Sequence, residues 1–123
     1  PDAVPSDLDG ARFVRLAGPL FFANADMLRE RIATAADDDV RWVLLDFESV
    51  TDIDPTASEV LADSIAILRE HGTVLAIARA SAPVQALLDL YGLADEIGPD
   101  RQFASNRAAL AAYLAEGRGG AAR

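Results

Sequence analysis

Lysine and cysteine are both absent from the 123-residue chain. Without lysine there is no Schiff-base chemistry, no phosphate loop ending in Gly-Lys-Ser/Thr and no movable ammonium group. Without cysteine there are no disulfides, thiol nucleophiles or cysteine-ligated metals, which fits a reducing compartment. Histidine occurs once, as His71, so a two-histidine metal site is excluded. No apolar run reaches the roughly 18 residues of a membrane span, and nothing resembles a signal peptide. Aromatic residues make up 7% of the chain. Trp42, Tyr91 and Tyr113 are not interleaved with basic residues as a single-stranded nucleic-acid platform requires, so they are predicted to be core or interface residues. Positive charge is scarce as well: all 11 basic residues are arginine, against 20 acidic ones, for a net charge of −9. Such a balance argues against nucleic acid as a partner and against adhesion to anionic lipid, because both need a basic face.

What is present is one domain's worth of chain, with an expected radius of gyration of about 14 Å. Hydrophobic residues reach 51%, but alanine supplies 25 positions, which predicts a modest, helix-rich core. Residues 1–10 read as a linker and residues 118–123, after Gly117, as a disordered tail, leaving a domain over 11–117. A start at Pro1 rather than Met predicts a piece of a longer protein. Ala11 to Gly18, Val40 to Phe47 and Thr73 to Arg79 read as strands, with a short extended piece at Leu20 to Phe22. The 3.6-residue period predicts four helices. One runs from Asn24 to about Ala36, with Leu28, Ile32 and Ala35 inward. A second runs from Asp54 to about His71, with Val60, Leu61, Ser64, Ile65 and Leu68 inward. A third spans Ala82 to Tyr91, closed by Gly92, and a fourth spans Phe103 to Glu116, with Phe103, Leu110 and Leu114 inward. Strands alternating with helices imply an α/β layer structure whose later strands are parallel.

In such sheets ligands sit beyond the carboxyl ends of the strands, where the next helix presents free N–H groups. The segment ESVTDIDPTASEVL marks one such place. Asp54 suits an N-cap and Pro55 the first helical position, which puts Thr56, Ala57 and Ser58 in the first turn. A hydroxyl there can hold an anion, or be phosphorylated with the new charge at the positive end of the helix. Asp46 and Asp52 are expected to gather with Asp54 at the same turn, and Arg79, ending the next strand, to pair with a bound anion. The plain alternative is that Asp54 is only a cap and Thr56 only a first-turn residue. An aspartate-phosphorylated receiver is excluded by the missing lysine and by Ala17-Gly18, which stand where its acidic pair belongs. No nucleophile, base or metal partner completes a catalytic set, so the chain reads as non-enzymatic. His71 reads as a cation at a helix C-terminus, and Asp37-Asp38-Asp39 as a solvated loop.

The segment VTDIDPTASEVL resembles the signature of STAS domains, shared by anti-sigma-factor antagonists and the cytoplasmic carboxyl-terminal regions of sulfate permease (SulP) anion transporters. GPLFFANADMLRERI, from Gly18 to Ile32, resembles the transporter branch. With RWVLLDFESV and GTVLAIARASAPVQALLDLYGL, the likeness covers nearly everything between Ala11 and Gly117. It implies a mixed, largely parallel sheet of four to five strands packed with about four helices. In the antagonist branch the motif Asp-Ser-Ser-Gly carries a phosphorylated second serine. Asp54, Pro55, Thr56 and Ala57 stand in its place, so Thr56 is the position implied for phosphorylation. The resemblance further implies a regulatory role on the cytoplasmic side of the cell membrane, beside the transmembrane domain of the same transporter and other cytoplasmic proteins. It implies no required cofactor. Weak binding of GTP, GDP or ATP is implied at Asp52, Asp54, Thr56, Ala57, Ser58 and Arg79, with Asp46 as a supporting acid. The alternative it offers is a free-standing antagonist switched at Thr56.

Overall fold

Strand β1 (Ala11–Leu20) lies beside β2 (Trp42–Ile53), followed across the sheet by β3 (Val74–Ala78) and the two-residue β4 (Gln102–Phe103). All three pairings are parallel. The computed structural model describes residues 8–121, and side chains as far as Glu116. A sheet whose spatial order follows chain order needs a crossover at each step, and right-handed crossovers advancing one way put every connecting helix on the same face. Helices α1 (Ala25–Ala35), α2 (Pro55–Glu70), α3 (Ala82–Leu90) and the short α4 (Leu93–Ile97) share that face, over a core that includes Leu28, Ile32, Leu61, Ile65, Val84 and Leu93. Helix α5 (Asn106–Ala121) follows the last strand and covers the other face, where Trp42, Leu44, Ala76, Ala109 and Tyr113 form a second core. The expected α/β class is therefore observed, with a sheet that is wholly parallel among the described strands rather than mixed.

Several expectations need correction. Leu20 to Phe22 is no separate strand: Leu20 closes β1 and Phe22–Asn24 is a 3-10 turn. The Asn24 side chain fixes that turn by accepting from the Phe21 N–H at 2.9 Å and donating to the Pro19 carbonyl at 2.8 Å. Strand β2 does not stop at Phe47 but runs to Ile53. Its register against β1 passes from Arg15↔Asp46 to Ala17↔Ser49 and from Gly18↔Val50 to Pro19↔Asp52, so β2 carries one extra residue at each step. Bulges of this kind rotate the strand, and they bring Phe47, Val50 and Ile53 inward at a spacing of three instead of two.

The last helix begins three residues later than expected, at Asn106, with Ser105 accepting from the Ala108 N–H, and it runs past Gly117 to Ala121. Its inward positions are Asn106, Ala109 and Tyr113, whereas Leu110 is half-buried, Leu114 is exposed and Phe103 belongs to β4. Trp42 and Phe103 already fill the sheet face there, stacked 6.2 Å apart, which leaves room for alanine beside them and for one ring, Tyr113, 5.4 Å from Trp42. The Tyr113 hydroxyl donates to the Asp9 carbonyl and accepts from Arg41. That hydrogen bond raises the Arg41 pKa further above its ordinary value, so this cation is permanent. Gly10, with φ of 83°, lies directly beneath: a Cβ there would come within 2.6 Å of the Tyr113 oxygen. The end of the expected linker, Leu8 to Gly10, is thus packed into the domain, and residues 1–7 lie outside the described residues. No helix among the described residues is long and apolar enough to cross a membrane.

Candidate functional site at the start of α2

Helix α2 starts as its sequence predicts. Asp54 is the N-cap, Pro55 occupies the first position, and Asp54 Oδ1 accepts from the Ala57 N–H at 2.8 Å. The aspartate also joins three elements. Its own N–H donates to the Leu20 carbonyl at the end of β1, and its Oδ2 accepts from the Phe22 N–H at 2.9 Å. Tyr91, just after α3, donates its hydroxyl to the Ile53 carbonyl at 3.1 Å. The ends of β1, β2 and α3 are therefore fastened around one helix start.

The predicted residues part company at this point. Thr56 is exposed in the first turn, as expected, and Asp52 is exposed beside it with Oδ1 turned to the Ile53 N–H. Ala57 and Ser58 are buried, and the Ser58 hydroxyl donates back to the Pro55 carbonyl at 2.9 Å. Of the first-turn N–H groups, that of Ala57 is held by the Asp54 side chain and that of Ser58 by the Asp54 carbonyl at 2.9 Å, which leaves that of Thr56. Asp46 does not belong to the cluster. Because β2 continues past it, it stands six residues short of Asp52, about 20 Å along the strand, buried under α5. There it accepts from the Glu48 N–H and from Asn106, and pairs with Arg15. Arg79, with φ of 66°, stands level with Phe47, six residues of strand short of Ile53, and pairs with Glu48. Sheet order adds a second reason: strands that follow one another without reversal create no switch point, and hence no crevice of the kind that holds nucleotides in doubly wound sheets.

Phe22 and Leu90, 72% and 75% exposed, are what the sequence reading missed. Phe22 adjoins Asp54 through its backbone bond and so places bare apolar surface at the α2 start, whereas Leu90 is bare at the end of α3, next to Tyr91. The signal for Leu90 was in Leu87-Leu88-Asp89-Leu90, where three leucines cannot share one helical stripe. His71 caps the opposite end of α2, about 22 Å from Thr56 at 1.5 Å per residue, with Nδ1 2.8 Å from the Ile67 carbonyl. No group of three or more metal-ligating side chains converges among the described residues.

Residues 5–109 match the STAS domain family model. Among sequence relatives, the probable sulfate transporter of Mycobacterium tuberculosis strain H37Rv is 35% identical over 102 residues, which cover 80% of this chain and 18% of that protein. The chain thus spans about a fifth of the length of the curated relatives it matches. Among solved structures, a sulfate transporter family protein from Wolinella succinogenes superposes with a TM-score of 0.77 at 26% identity, covering 91% of this chain and 89% of that one. A putative anti-sigma factor antagonist from Thermotoga maritima shares the fold at 17% identity, with a TM-score of 0.71 and coverage of 87% and 91%. The chain belongs to the STAS domain family, and its relatives by sequence are sulfate transporters.

Proposed function

We propose that the chain is the non-enzymatic, regulatory STAS domain of a SulP-type sulfate or related anion transporter, held on the cytoplasmic side of the membrane against the transmembrane domain of the same protein. The observation that carries this reading is the match to sulfate transporters across 80% of the chain, in a segment making up 18% of the relative. Phe22 at the α2 start and Leu90 at the end of α3 supply apolar contact for the partner. The reading frame upstream of Pro1 is expected to encode about ten or more apolar helices of roughly 20 residues. In the intact protein, Phe22→Ser with Leu90→Ser is expected to lower anion uptake at unchanged protein level. A frame that opens near Pro1, or uptake untouched by the pair, sinks the reading.

Nucleotide binding at this helix start would be weak, because one first-turn N–H is left for a phosphate and the Asp54 carboxylate stands beside it. GTP, GDP and ATP are expected to bind the domain no tighter than about 1 mM. Micromolar affinity in a titration, with amide shifts confined to residues 54–58, would show that the turn opens to admit the ligand.

One observation favours a second reading. Thr56 is exposed in the first turn, where a phosphate meets the positive end of α2, as a free-standing antagonist switched at Thr56 requires. A frame starting near Pro1, together with an intact mass heavier by one phosphate, would select this reading; an unmodified mass under every anion supply removes it.

A further inference from the structure

At the end of α2 remote from Thr56, the last turns of α1 and α2 flank a groove of about 310 Å³ lined by Ala33, Ala36, Asp37, Asp38, Ile67 and His71 among others. Its apolar part is unusual for a solvated helix pair, because Ile67 is 55% exposed while the alanines beside it add no bulk to cover it. Its polar part is unusual in sign. Helix C-termini carry partial negative charge and favour cations, yet α1 has no basic residue in its last turn and is followed at once by Asp37, Asp38 and Asp39. Arg12 reaches Asp37 only at 4.0 Å, and Arg29 is engaged with Asp26 a turn and more away. Three carboxylates at the negative end of a helix deepen the negative potential there instead of relieving it, so the arrangement works against the fold's own electrostatics and suits an incoming cation.

We propose that this groove receives a basic segment of a partner protein, seating one large apolar side chain on Ile67 and pairing arginine or lysine with Asp37, Asp38 and the α1 carbonyls. Charge complementarity selects the occupant: Asp37, Asp38 and the negative end of α1, facing His71 across an apolar floor, repel nucleic acid and anionic lipid, and Arg12 at 4.0 Å from Asp37 leaves them incompletely neutralised. The inference holds under either reading of the α2 start, since the groove lies at the other end of that helix.

The test uses the whole 123-residue chain, isotopically labelled, and a synthetic Arg-Leu-Arg-Arg-Leu peptide as the probe. Amide shifts are expected to centre on residues 33–38 and 67–71. Asp37→Asn with Asp38→Asn, and separately Ile67→Ser, are each expected to weaken binding about tenfold. Asp26→Asn, at the exposed start of α1 and about 15 Å along that helix from Ala36, is expected to leave it unchanged. Ile67 is exposed, so circular dichroism of that variant is expected to match the parent, which separates lost contact from lost fold. Shifts spread over the acidic surface, equal affinity in all variants, or a leucine-free arginine peptide or spermidine binding as well as the probe would each overturn the proposal. So would a concentration-dependent mass showing that a second copy occupies the groove.

Discussion

Trp42→Ala is expected to lower the unfolding free energy by about 4 kcal/mol, the range for emptying a buried large aromatic site. Trp42 is the single tryptophan and is nearly inaccessible, held between the sheet and α5. One ring face meets Phe103, Tyr113 packs edge-on, and the Arg101 guanidinium lies 4.9 Å from the ring centre. Arg101 and the indole N–H both reach Glu116 on α5, at 2.7 and 3.4 Å. The second core is small and most of its other buried positions are alanine, so only limited movement of Phe103 and Tyr113 can fill the space left by its removal. The loss should appear as a melting temperature lower by roughly 15 °C for a domain of this size, with Trp42→Phe recovering more than half. A cost below about 1 kcal/mol would mean that α5 is not docked in solution, since that value belongs to surface substitutions.

How far the sequence could lead depended on whether a residue's role was set by its neighbours in the chain. The start of α2 was legible because capping is local: Asp54-Pro55 satisfies the first turn by chemistry that needs no tertiary contact, and the five inward positions repeat at the helical period. The continuation of β2 was not. Phe47, Val50 and Ile53 recur every third residue, matching neither the strand nor the helix period, because two extra residues rotate the strand against β1. Misplacing that strand end carried Asp46 and Arg79 into a site they do not share. The inward face of α5 was illegible for a different reason. Leucine count favoured Leu110 and Leu114, but the shape of the Trp42 and Phe103 surface decides which side of the helix fits, and it accepts Ala109 and Tyr113. At two residues, β4 is too short to carry a periodic signal.

Asp46→Ala is expected to cost about 2 kcal/mol, and the reason bears on what the acidic residues of this chain are for. A carboxylate 1% exposed is tolerated only where hydrogen bonds and opposite charge replace water. Asp46 Oδ1 accepts from the Glu48 N–H at 3.0 Å, while Oδ2 accepts from Asn106 Nδ2 at 3.2 Å and lies 3.5 Å from Arg15 Nε. Asn106 opens α5, so the carboxylate also sits at the positive end of that helix. Removing it strips a bond from a buried amide and leaves β2 and the α5 start without their shared anion; half-exposed Arg15 rehydrates at little cost. Asp46→Asn keeps the shape and one acceptor and should recover about half of the loss. Asp46→Ala and Asn106→Ala together should cost about 1–2 kcal/mol less than their sum, because each removes the same bond. Strict additivity would show that the pair does not interact. A structural anion also predicts that Asp46→Asn leaves phosphate or nucleotide titrations at residues 54–58 unchanged. If that variant altered binding there, Asp46 would have to reach across about 20 Å of strand to the α2 start, and the assignment of this buried acid to the fold rather than to the site would fail.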